Sequence, residues 1–353
     1  MSNIIDTINY LNQVTTILVV TICLASFIPG VIGLLLNLIV FTRPSLRHEP
    51  CAFYFFSSTC LNLFIILIIV PVRILSNGFN TDLADRNLGI CKLEYYTFFI
   101  VRATSCWLIV LACIDRYLHS SSNARMRRLS SLKIARLAVG SICILSIISY
   151  VHMIIYYEIG NTTNQFGVII SKCNARKGFY RTFNALWQMI MYSLCPSLLM
   201  ILFGCLTLNN IHQRRRVLPI MGENNRAIRR TDSQLLRMLT AQVLCIVIST
   251  LPSSVERLYL SITENIVKDS IRVAQENLAT QTVNAMTYFA HSTTFYLYTL
   301  TGAVFRKEVF KIFHRCFRQN HNNPVNISND SNRRIILEKQ QRNINATSDL
   351  NKP

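Results

Sequence analysis

Two arginines sit where positive charge is costly. Arg102 is the one charged residue in the apolar run from Tyr95 to Ile114. Arg116 closes the same run in the triplet Asp115-Arg116-Tyr117, shortly before the basic stretch Arg125-Met126-Arg127-Arg128. A guanidinium does not lose its proton in a protein, so each needs an acceptor, water or a ligand anion. No hydrolytic pattern accompanies them: His48-Glu49 lacks the second histidine of a His-Glu-x-x-His zinc site. The chemistry available to these residues is recognition and switching.

The elements that position them are membrane helices. The chain has 353 residues, is 51% hydrophobic and 15% charged, and has a mean hydropathy of +0.33. A bilayer core of about 30 Å requires about 20 apolar residues as helix. Seven stretches qualify: Thr16–Thr42, Cys51–Ile74, Leu93–Leu118, Leu132–Tyr156, Thr182–Leu208, Gln234–Leu260 and Gln275–Val304, the fifth and seventh being the most polar. Runs of this length are helices rather than barrel strands, since unpaired backbone cannot face lipid. The expected fold is an all-α, seven-helix membrane bundle.

The net charge of +19 is unevenly placed. With residues 1–15 outside the cell, the inner segments carry +17 and the outer ones +1, leaving Arg102 within the membrane. This is the positive-inside asymmetry, with attraction to anionic inner-leaflet lipids as an accessory. Nothing further supports nucleic-acid binding. Met1 to Val14 is polar and lacks a basic leader, so the first span is expected to act as an uncleaved insertion signal.

Most of the twelve cysteines lie within apolar runs, where Cys behaves as a small hydrophobe. Cys91 and Cys173 fall in the outer segments, where oxidation is permitted, and a bridge between them is expected. Two unrelated thiols are the alternative. Past the seventh run, Phe305, Val309, Ile312, Phe313 and Cys316 follow helical spacing with basic residues between them. Residues 305–317 therefore read as a short amphipathic helix on the inner leaflet, with Cys316 a palmitoylation candidate. Residues 318–353, rich in Asn, Gln, Arg and Ser, read as a disordered cytoplasmic tail. Asn161-Thr162-Thr163 is a glycosylation sequon in the outer loop between the fourth and fifth spans. Those at Asn326, Asn329 and Asn345 are expected to be silent.

Taken in order, these residues resemble the rhodopsin-like (class A) G-protein-coupled receptor family over about Thr16 to Cys316. Gly33-Leu34-Leu35-Leu36-Asn37 is similar to the first-helix Gly-x-x-x-Asn, Cys91 to the cysteine opening the third helix, and Asp115-Arg116-Tyr117 to the family triplet. Pro196 and Pro252 match the mid-helix prolines of the fifth and sixth helices, and Phe295-Tyr296-Leu297-Tyr298 the end of the seventh. The chain departs at Asn62, where an aspartate is usual, at Thr250, where tryptophan is common, and at Thr294-Phe295, where Asn-Pro is usual. These departures suggest a divergent subgroup without the family's sodium pocket or core toggle, and the chain as a whole resembles the neuropeptide receptors of the family.

The resemblance implies a receptor without cofactor or metal in the plasma membrane, amino end outside and carboxyl end in the cytoplasm. It would bind an extracellular ligand and activate a heterotrimeric G protein as the sixth helix swings outward. Its coupling residues would be Asp115, Arg116, Tyr117, Asp232 and Tyr298. Counting about five and a half turns back from Pro252 reaches Asp232, a resting partner for Arg116 or simply a helix cap.

The ligand pocket implied by the resemblance has Phe98, Arg102, Gln188, Tyr192, Ser253, Arg257, Asn284 and Tyr288 as walls. Arg102 lies about 16 Å from Cys91 and about 21 Å from Arg116 along the helix. It reads as an anchor for an anionic or carbonyl-rich ligand group, or as a buried arginine satisfied by hydroxyls such as that of Tyr288. Phe98 stands where amine receptors carry aspartate, and no lysine falls between Lys268 and Lys307 for a retinal Schiff base. The long outer loop with Lys172, Arg176 and Lys177 favours a peptide. The rival class is a transporter or channel of seven-helix topology, which would show charges deep in several helices or repeated halves.

Overall fold

A computed structural model describes residues 2–44, 46–79, 81–163, 166, 168–217, 223–263, 266–302, 305–312 and 314, with side-chain detail at all of these except 2, 214–217 and 223–235. Seven helices form a bundle. The first is Ser2–Phe41, the second Pro50–Phe79, the third Leu88–Ser120 and the fourth Leu132–Tyr156. The fifth runs through Phe179–Gln188, a π-turn Met189–Leu194 and Cys195–Val217. The sixth is Glu223–Ile262, and the seventh is Ser270–Ser292 followed, after Thr293, by Thr294–Thr301. A short helix, Ala124–Leu129, links the third to the fourth. Residues 1–15, expected as a separate outer segment, are helical from Ser2 and continuous with the first span.

Six of these helices are long and apolar enough to cross a bilayer by themselves; the seventh is not. The reason lies in how it packs. Asn277, Gln281 and Asn284 face an internal cavity, His291 is buried, and Met286 and Phe289 point outward. Its apolar surface is thus one stripe, too narrow to dominate the composition. Elsewhere, Ile32, Leu137, Ile148, Ile201 and Ile248 are exposed, whereas Ser58, Asn62, Ser105 and Thr287 are buried. An apolar exterior, with polar groups confined to the interior, is the arrangement lipid demands.

Two glycines let the first and seventh helices touch backbone to backbone. A Cβ at Gly30 would stand 2.8 Å from the Ser292 Cβ, and one at Gly33 2.9 Å from the Phe295 Cβ. One turn further, the Asn37 amide donates to Thr294 Oγ1 at 3.3 Å. Small residues at a helix contact allow this approach. Proline shapes the fifth helix: Pro196 lacks the N–H that Tyr192 would otherwise receive, and the turn before it widens into the π form. The Met191 carbonyl in that turn accepts from Trp107 Nε1 at 2.9 Å, tying the third helix to the fifth.

The loop between the fourth and fifth helices is a β-hairpin. Strand β1 (Tyr157–Thr163) pairs antiparallel with β2 (Ile169–Ala175), with Ile159 opposite Cys173 and Asn161 opposite Ser171. The disulfide Cys91–Cys173 fastens β2 to the start of the third helix, with a Cα–Cα distance of 5.7 Å. The chain divides into two units, Met1–Phe305 and Arg306–Pro353. Residues 305–312 are helical, and Lys311 donates to Glu308 at 2.7 Å. Cys316, the tail 318–353 and its three sequons lie outside the described residues.

Candidate functional site

A cavity of about 810 Å³ opens at the disulfide end of the bundle. The hairpin contributes Thr162, Ile170, Lys172 and Cys173 to its wall. Beside the disulfide, the Cys173 N–H donates to Asp85 Oδ1 at 2.7 Å. Phe98, Arg102, Gln188, Arg257, Asn284 and Tyr288 all line this cavity. Two of the expected wall residues stand elsewhere. Tyr192 meets Arg102 from outside the lining, and the Ser253 hydroxyl donates to the Thr250 carbonyl at 2.9 Å.

Arg102 is 5% exposed. Its guanidinium donates to Thr287 Oγ1 at 2.7 Å and to the Tyr192 hydroxyl at 3.4 Å. The Tyr192 and Tyr288 rings flank it at 5.0 and 5.5 Å, within cation–π range. Its Nε–H is buried and meets no acceptor. Thr287 was not evident in the sequence, although it lies one turn from Asn284 on the same helix face.

Arg257 donates to Gln188 Oε1 at 2.7 Å and Asn284 Oδ1 at 2.8 Å, with its guanidinium carbon 5.2 Å from the Phe99 ring centre. A relay continues from Gln188 to Asn184 at 3.2 Å and from Asn184 to the Tyr157 hydroxyl at 3.2 Å. Burial pushes the Tyr157 phenol above its ordinary range, so it stays neutral. Among the described residues, no carboxylate pairs with Arg102 or Arg257. The neighbouring Arg73 contrasts with them, pairing with Glu94 at 3.1 Å.

At the opposite end of the bundle the second arginine is covered. Arg116, 3% exposed, donates to Asp115 Oδ2 at 2.8 Å and lies 3.9 Å from Glu49 Oε2. Asp115 Oδ1 accepts from the Ser130 hydroxyl at 2.7 Å, anchoring the triplet to the segment after Ala124–Leu129. Tyr117 packs its ring on Phe203 at 5.7 Å. The Asp232 side chain lies outside the described residues, and with it the expected Arg116–Asp232 pair. Glu49 was missed because it sits 67 residues before Arg116 in a loop of mixed charge. Tyr298 is sealed among Phe41, Phe55 and Phe305, with ring centres 5.1 to 5.8 Å away. Its hydroxyl donates to Gln242 Oε1, linking the seventh helix to the sixth.

Residues 33–298 match the family model for the 7 transmembrane receptor (rhodopsin family). The chain belongs to that family. It is a G-protein-coupled receptor of the plasma membrane, a receptor rather than an enzyme. No individual curated protein matches it.

This rhodopsin-family receptor fills the centre of its bundle with neutral polar groups. Asn62 Oδ1 accepts from the Ser105 hydroxyl at 2.6 Å and contacts His291 Nδ1 at 2.9 Å, and Ser105 shares a 2.9 Å hydrogen bond with Ser58. The second, third and seventh helices therefore meet through an amide, two hydroxyls and an imidazole. His291 escaped notice in the sequence because a lone histidine in a polar run looks like a surface residue. It is 4% exposed.

Proposed function

We propose that this receptor binds a peptide at its disulfide end, outside the cell, and answers by exposing Arg116 to a heterotrimeric G protein in the cytoplasm. One arrangement supports this reading above all others: Arg102 and Arg116 ride on one uninterrupted helix, Leu88–Ser120, about 21 Å apart. The first faces an open cavity, while the second is covered by its own neighbours. A breadth of about 810 Å³, with side-chain amides on several walls and a hairpin at the rim, suits a peptide.

The switch is a population shift. In the closed form the sixth helix is tied to the seventh by Gln242 and Tyr298, and to the fifth by a 3.3 Å contact between Thr250 and Ser193. A ligand that fits better when the cavity contracts favours the form in which the sixth helix swings outward. The Asp115–Arg116–Glu49 cluster, with Asp232 as a further candidate, then releases its arginine into an inner cleft. The +17 charge of the segments at this end favours the cytoplasm and anionic lipid headgroups. Asn161, exposed on β1, is open to glycosylation, and Cys316 to palmitoylation.

Purified receptor in lipid nanodiscs tests this directly. It should accelerate guanine-nucleotide exchange on a heterotrimeric G protein, and Arg116→Ala should remove most of that acceleration. Absence of exchange, together with solute flux in proteoliposomes, would favour the transporter class instead.

A further inference from the structure

Buried guanidiniums generally meet carboxylates, because a neutral acceptor offsets little of the desolvation. Within this molecule Arg73 has Glu94, Arg116 has Asp115 and Lys268 has Glu276. Arg102 and Arg257 break the pattern: their partners are a threonine, a tyrosine and two amides. Among the acids that line the same cavity, Asp85 accepts the Cys173 N–H and Asp82 accepts Ser76 and the Ala84 N–H. Glu256 accepts the Thr280 hydroxyl with Oε1, its Oε2 is buried without a partner, and neither oxygen pairs with Arg102 or Arg257.

The two cations are also set side by side. Arg257 touches Asn284 and covers Phe99, while Arg102 touches Thr287. Phe99 and Arg102 are one turn apart on the third helix, and Asn284 and Thr287 are one turn apart on the seventh. The contacts of the two guanidiniums therefore fall on successive turns of the third and seventh helices, about 5 Å apart along those helices. A carboxylate placed between them can accept from both guanidiniums at once.

We infer that the deep end of the cavity holds one carboxylate shared by Arg102 and Arg257, supplied as the free C-terminus of a peptide ligand. This rests on the peptide reading above and narrows it to peptides that end in an acid rather than an amide. A peptide terminus fits better than a fatty acid. Asn174, Asn184, Asn277 and Gln281 also line the cavity, and they can pair peptide groups, whereas a hydrocarbon tail would strand them.

The test uses full-length receptor in nanodiscs, with N-acetyl-phenylalanine as the probe and thermal unfolding as the readout, so it does not depend on G-protein coupling. The free acid should raise the melting temperature saturably, with an apparent Kd of about 1 mM or tighter. N-acetyl-phenylalaninamide and octanoate should each bind at least ~10-fold more weakly. Arg102→Gln and Arg257→Gln should each bring acid and amide within about twofold of one another. Arg257→Lys, which keeps the charge without the fork, should retain part of the preference; it serves as the foldable alternative if a glutamine variant is unstable. Equal binding of acid and amide, or no shift from the acid at about 10 mM, would overturn the inference. Octanoate binding as tightly as the acid would overturn the assignment to a peptide terminus. None of these results bears on nucleotide exchange, so the receptor reading stands or falls separately.

Discussion

The two ends of this bundle treat buried arginine in opposite ways. At the disulfide end, Arg102 and Arg257 meet neutral acceptors around an open cavity. At the other end, Arg116 lies against Asp115 with Glu49 nearby, and Tyr298 is packed among three aromatic rings. An end whose charges are already matched gains little from a new contact; an end whose cations lack counter-ions gains much from an anion. On the function proposed above, the difference separates a surface that receives a ligand from one that stays shut until released.

Breaking the disulfide should separate the two ends most sharply. Cys91 and Cys173 are 82 residues apart, and closing a loop of that length stabilises the fold by about 4 kcal/mol in the chain-entropy view. Cys91→Ser should lower the melting temperature and abolish ligand response, while nucleotide exchange without ligand persists in the protein that still folds. Loss of both activities in equal measure would mean that the two ends are not separable. A smaller effect is expected at the closed end. Tyr298→Phe leaves Gln242, 2% exposed, without its donor, at a cost of about 1–3 kcal/mol to the closed form. Ligand-independent exchange should then rise roughly tenfold, and an unchanged basal rate would remove this contact from the switch. Glu49 is 43% exposed and 3.9 Å from Arg116, a rim pair worth about 0–1 kcal/mol. Glu49→Gln should therefore change basal exchange by about fivefold at most, and a much larger change would make Glu49 the principal latch.

The bundle itself was legible because lipid imposes long apolar runs, and one end of it was marked by the Asp115-Arg116-Tyr117 triplet. Gly33 and Asn37 were readable as a pair because a close helix contact leaves a small residue and a polar one on one face. Other features could not be read locally. The hairpin was hidden because Gly160 and Asn161, residues that favour turns, sit inside β1. The π-turn at Met189–Leu194 also presents the Met191 carbonyl to Trp107, a contact between helices that the local sequence does not show. Arg102 was visible as a charge in a membrane run, and Arg257 only as a pocket wall implied by the family resemblance. Their shared lack of a counter-ion emerges only once the third, sixth and seventh helices are assembled.

Coupling between the two ends is tested most directly by the movement of the sixth helix. Spin labels at Arg125→Cys, on the short helix after the third, and Arg237→Cys, on the exposed face of the sixth, report it once Cys60 and Cys205 are replaced. Double electron–electron resonance before and after addition of nucleotide-free heterotrimeric G protein should show the distance growing by at least ~5 Å, with the longer population already raised in Tyr298→Phe. An unchanged distance distribution with G protein bound would contradict the account, because Arg116 would then have to signal from beneath its own cover.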